Sequence, residues 1–65
     1  PGERDVRRQA IFALSRRPAD EAVPRLLAMA QSLPDRELRR TAVFWLGRSK
    51  DPRAVAWFEQ VLTGR

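Results

Sequence analysis

Val6-Arg7-Arg8-Gln9-Ala10-Ile11-Phe12-Ala13-Leu14-Ser15-Arg16 returns 32 residues later as Leu38-Arg39-Arg40-Thr41-Ala42-Val43-Phe44-Trp45-Leu46-Gly47-Arg48. Arg7 aligns with Arg39, Arg8 with Arg40, Ala10 with Ala42, Phe12 with Phe44, Leu14 with Leu46 and Arg16 with Arg48. Ahead of this stretch Arg4 aligns with Arg36, and beyond it Ala22-Val23 aligns with Ala54-Val55. The chain therefore reads as two copies of one unit, about residues 3–33 and about 35–63. A period in this range marks supersecondary units that bury their apolar faces by stacking on one another.

The repeated stretch has the period of a helix. At about 100° per residue, Val6, Ala10, Ala13 and Leu14 share one face, with Ile11 at its edge. Arg8, Asp5, Arg16 and Gln9 lie opposite. This predicts an amphipathic helix from about Glu3 to Arg16, stopped by Arg17-Pro18, because a residue before proline is driven out of the α region.

A second helix is predicted over about Asp20 to Gln31, with Ala22, Val23, Leu26, Leu27, Met29 and Ala30 facing inward. Pro24 must then lie in its first turn or bend its start. Ser32-Leu33-Pro34-Asp35 reads as a turn in which either Ser32 or Asp35 caps the next helix. A third helix over about Asp35 to Arg48 points Leu38, Ala42, Trp45 and Leu46 inward, with Gly47 placed for a tight exit. In Ser49-Lys50-Asp51-Pro52, Asp51 is the expected cap and Pro52 the first helical residue. The fourth helix, about Pro52 to Leu62, is expected to bury Ala54, Val55, Phe58, Val61 and Leu62 before Thr63-Gly64-Arg65 frays. No segment has the alternation of a strand, so the expected fold is all-α: two antiparallel helix hairpins, four helices, packed side by side as a fragment of an α-solenoid.

Composition removes many functions. With no cysteine or histidine among 65 residues, disulfides and nearly all zinc, haem and iron–sulfur ligation are excluded. Ser15, Ser32 and Ser49 stand at helix ends, and nucleophilic catalysis by a serine needs a neighbouring base. There is no glycine-rich phosphate loop, so neither enzymatic activity nor a cofactor is expected. The longest apolar run, Ala42 to Leu46, is far shorter than a membrane span. Pro1-Gly2-Glu3 has neither an initiator methionine nor a signal sequence, as expected of a piece of a longer protein. The compartment stays open.

The net charge of +5 comes from twelve arginines and one lysine against eight acids. It fits an anionic partner, and it equally fits the arginine-rich codon usage of a GC-rich genome. Most acids fall where helices begin, and Arg16, Arg17, Arg48 and Lys50 fall where they end, as helix dipoles favour.

Asp5-Val6-Arg7-Arg8-Gln9-Ala10 through Leu14-Ser15 and Glu37-Leu38-Arg39-Arg40-Thr41-Ala42 through Leu46-Gly47, followed by Asp51-Pro52-Arg53-Ala54-Val55, resemble the HEAT-like repeats, in the short bacterial form also found in phycobilisome lyases. The resemblance covers essentially the whole chain. It implies an α-solenoid used mostly as a protein-binding scaffold, and no catalytic residue carries over.

Two surfaces stand out as candidates. One lies on the second helices, where Arg25, Gln31, Arg53 and Trp57 would receive a protein segment; Trp57 reads equally as a binding anchor or as a lid over the last hairpin. The other is the ridge Arg8-x-x-x-Phe12-x-x-x-Arg16 and Arg40-x-x-x-Phe44-x-x-x-Arg48, whose i, i+4 spacing brings the side chains together. An aromatic between guanidiniums suits an acidic peptide, or phosphates and bases. Alternatively, Phe12 and Phe44 fill the gap between neighbouring helices under arginine stems. A nucleic-acid backbone would be met by Arg7, Arg8, Arg39, Arg40 and Arg48. Glu59 takes the place of Leu27, and a polar outer flank is expected at the C-terminal end of a repeat array. On that reading Val6, Ile11 and Val23 stay partly exposed on a cut N-terminal face, which predicts either self-association through that face or low stability in isolation.

Overall fold

The computed structural model describes residues 2–64; Pro1 and Arg65 lie outside the described residues, and of the expected C-terminal fray Thr63 is instead still helical, with Gly64 capping it. Four helices occur in order: α1 (Glu3–Ser15), α2 (Ala19–Ser32), α3 (Arg36–Ser49) and α4 (Pro52–Thr63). Each boundary lies within a residue or so of its sequence expectation, because the prolines and capping aspartates dictate it.

Of the two candidate caps for α3, Asp35 takes the role. Its Oδ1 accepts from the amides of Glu37 at 2.8 Å and Leu38 at 3.2 Å. The Ser32 hydroxyl instead donates to the Ala28 carbonyl inside α2. Asp51 caps α4 by accepting from the Arg53 amide at 2.9 Å, with Pro52 next in the chain. Pro24 lies beyond the first turn of α2, on its exposed side. Its missing N–H deprives the Asp20 carbonyl of an i+4 partner, at a residue that is itself exposed.

The exit expected at Gly47 is corrected. Gly47 is an ordinary residue of α3, and the left-handed position belongs to Lys50, at φ 55°. The stop is set by Pro52, which holds Asp51 extended, so the chain must turn one residue earlier. At the end of α4, by contrast, Gly64 does take the left-handed position, at φ 74°.

α2 and α3 form the most intimately packed pair, with α1 lying against both and α4 against both from the other side. Leu26, Leu38, Leu46 and Val23 are fully buried at this seam, joined by Ile11, Ala22, Ala30, Ala42 and Ala54. Ion pairs tie the two units: Arg4 Nε donates to Asp35 Oδ2 at 2.8 Å, linking α1 to the start of α3, and Arg53 reaches Asp20 at 3.3 Å, linking α4 to α2.

The outer helices depart from expectation. On α1 it is Ile11 that is buried and Leu14 half-buried, whereas Val6, Ala10 and Ala13 are exposed. Val23, expected partly open, is buried as well. On α4 only Ala54 is buried and Phe58 half-buried; Val55, Val61 and Leu62 are exposed. The flank of α4 carrying Glu59 is therefore mostly apolar rather than polar, since Val55, Glu59 and Leu62 share one helical face. The reason is the same at both ends: no described helix lies on that side to cover the face.

Candidate interaction surface

The neighbouring α1 and α3 bring Phe12 and Phe44 onto one surface. Trp45 lies between them, its ring 5.4 Å from that of Phe12 and 5.1 Å from that of Phe44, tilted against the first and edge-on to the second. Both arrangements are favourable for aromatic quadrupoles. Trp45 is half-buried against the core, while Phe12 and Phe44 keep 40% and 55% of their surface exposed. The rings do pack between the two helices, and they also remain open to a partner.

Each phenylalanine has an arginine one turn later above its ring. The Arg16 guanidinium carbon lies 5.7 Å from the Phe12 centroid and that of Arg48 lies 5.8 Å from the Phe44 centroid, both within cation–π range. The arginines one turn earlier are engaged differently. Arg8 pairs with Asp5 at 3.2 Å and Arg40 with Glu37 at 3.7 Å. Arg16 and Arg48 have no carboxylate within 4 Å among the described residues. Arg8, Gln9, Phe12, Thr41, Phe44 and Trp45 line an open hollow of about 380 Å³. The triplets expected from sequence are thus brought together, with two of their four guanidiniums over aromatic rings and free of internal acids among the described residues.

The other predicted set is more occupied. Arg53 binds Asp51 at 2.9 Å and also reaches Asp20 and the Ala19 carbonyl. The Gln31 amide donates to the Leu27 carbonyl at 3.0 Å. Trp57 is half-buried against the core and tilted on Phe58 at 5.3 Å. Arg25 is exposed on α2.

Sequence reasoning placed Trp45 simply inward and missed its place between the two phenylalanines. A signal was present: Trp45 stands where the first unit has Ala13, and such a small-to-large change on a repeated helix adds an aromatic surface toward its neighbour.

Electrostatics around these surfaces serve structure. The Arg4 hydrogen bond, backed by the Leu38 and Glu37 amides, holds the Asp35 carboxyl below the usual range. Arg53 does the same to Asp51, and Arg17 to Glu21. The guanidinium partners Arg4, Arg53 and Arg17 are raised in turn. Every one of these shifts moves a group away from neutrality, the opposite of what acid–base catalysis requires. Among the described residues no group of His, Cys, Asp or Glu is placed to hold a metal ion. No helix of the described residues is long and apolar enough to cross a membrane.

A family model described as HEAT repeats matches residues 2–64. No curated protein and no solved structure matches the chain.

Proposed function

The chain belongs to the HEAT-repeat family, and from that premise we propose that it is a non-catalytic module that holds a protein segment across α1 and α3. HEAT repeats commonly serve as protein-interaction scaffolds and are generally non-catalytic. The observation that carries the reading is the half-open array Phe12–Trp45–Phe44 with Arg16 and Arg48 above its ends. A segment that places an apolar or aromatic side chain in the hollow and carboxylates beside the two guanidiniums matches it in shape and charge. Aromatic and arginine side chains are also those that most often dominate interface energies.

The phosphate-backbone alternative draws less support from the geometry. Of its five arginines, Arg7 lies 3.6 Å from Glu3, Arg8 and Arg40 pair with their own acids, and Arg39 donates to the Leu33 and Pro34 carbonyls. Only Arg48 is free of such a partner among the described residues. Contacts of this kind are individually weak, but a phosphate would have to displace them in succession.

The test is selection of short peptides from a display library on the chain, then affinity measurement on variants. Phe12→Ala/Phe44→Ala should weaken the selected peptides by about tenfold or more, with Arg25→Ala and Trp57→Ala near wild type. Loss with Trp57→Ala and not with the phenylalanine pair places the site on the second helices. Duplex DNA binding that collapses with rising salt would favour phosphates instead.

A further inference from the structure

The exposed apolar sides of α1 and α4 are unmatched halves of an interface that the chain also contains whole. On α2, Val23, Leu26 and Ala30 are buried in the core shared with Leu38 and Ala42 of α3. Shifted by 32 residues, the α2 residues become Val55, Phe58 and Leu62 of α4. There Val55 is exposed, Phe58 half-buried and Leu62 85% exposed. Shifted the other way, Leu38 and Ala42 become Val6 and Ala10 of α1, both exposed. The chain thus presents an α2-like face at one end and an α3-like face at the other.

We propose that α4 of one copy receives α1 of a second copy as α2 receives α3 within the chain. Charge obeys the same translation. Arg4 of α1 pairs with Asp35 ahead of α3. One unit onward, Arg36 of the first copy meets Glu3 of the second, again guanidinium against carboxylate. Arg36 has no carboxylate within 4 Å among the described residues, and Glu3 is held only by a long contact to Arg7. The joint is heterologous and does not close on itself, so assemblies lengthen with concentration. Glu59 puts a charge in the place of the apolar Leu27, and it keeps the association weak and reversible.

Sedimentation velocity from about 10 µM to about 1 mM tests this, a range suited to a weak joint. The wild-type chain should sediment as progressively larger species. Val6→Glu and Leu62→Glu alter exposed positions, so helix content by circular dichroism should be unchanged. Each variant alone should be monomeric, since one spoils the α1 face and the other the α4 face. Mixed one to one, they should form a dimer through the two intact faces. Glu59→Leu, which restores the α2 pattern, should move association to about tenfold lower concentration. A wild-type chain monomeric throughout overturns the proposal. So does a mixture that stays apart, or a Val6→Glu chain that still self-associates, which would reveal an α4-to-α4 contact instead.

Discussion

Val6 and Leu38 occupy the same position in units 32 residues apart, yet Val6 is 70% exposed and Leu38 is 1% exposed. The difference lies in their surroundings. α3 has α2 lying along the face that carries Leu38, and α1 has no described helix there. Burial at this position is decided by the neighbouring repeat, which is why a repeat's sequence alone does not settle it.

The contrast predicts unequal mutational costs at matched positions. Leu38→Ala and Leu46→Ala should each destabilise the fold by about 2–5 kcal/mol, the usual range for a buried leucine. That is comparable to the whole stability expected of so small a domain, so both variants should be largely unfolded. Val6→Ala should stay within about 0.5 kcal/mol of wild type. Circular dichroism without denaturant reads the loss of helix in the leucine variants, and urea denaturation, below the concentration of any self-association, gives the Val6→Ala value.

Two residues near the end of α3 offer gains in stability. Lys50 sits in the left-handed region at a steric cost that glycine does not incur, so Lys50→Gly should stabilise by about 0.5–1 kcal/mol. Gly47 lies in a helix with open space where a Cβ would project, so Gly47→Ala should add a similar amount, about 0.5–1 kcal/mol. If Gly47 were the helix exit, alanine there would destabilise, and the direction of the shift in denaturation midpoint separates the two.

Helix number, order and limits were legible because local chemistry fixes them: Arg17-Pro18, Pro34-Asp35 and Asp51-Pro52 act within a few residues of themselves. Gly47 misled because glycine is so often the left-handed residue at a helix end, whereas the constraint from Pro52 put that position at Lys50. Val55, Val61 and Leu62 were legible as an apolar face and not as an exposed one, since exposure depends on what lies alongside. At the ridge, the spacing of Arg16 to Phe12 and Arg48 to Phe44 lies within one helix and could be read directly. The contact of Trp45 with Phe12 joins two helices and depends on how α1 settles beside α3.

Acid should destabilise the fold through its capping carboxylates. Asp35 and Asp51 are held below the ordinary range, chiefly by Arg4 and Arg53 respectively. In the unfolded chain they return to about 4. The folded form therefore resists protonation, and its stabilisation is complete above that value and lost as pH falls through the lowered folded values. Thermal melts should give a midpoint that is level from neutrality to about pH 5 and falls below about pH 4. Asp35→Asn should lower the midpoint at neutral pH and flatten its acid dependence; an unchanged acid limb would remove Asp35 from that role.

Backbone amide chemical shifts, recorded while a display-selected peptide is titrated into the isotope-labelled chain, test the ridge most directly. Saturable changes should concentrate at Gln9, Phe12, Arg16, Thr41, Phe44, Trp45 and Arg48, leaving Arg25, Gln31, Arg53 and Trp57 near their free positions. Changes concentrated at those last four residues, with the α1–α3 surface undisturbed, would contradict the account.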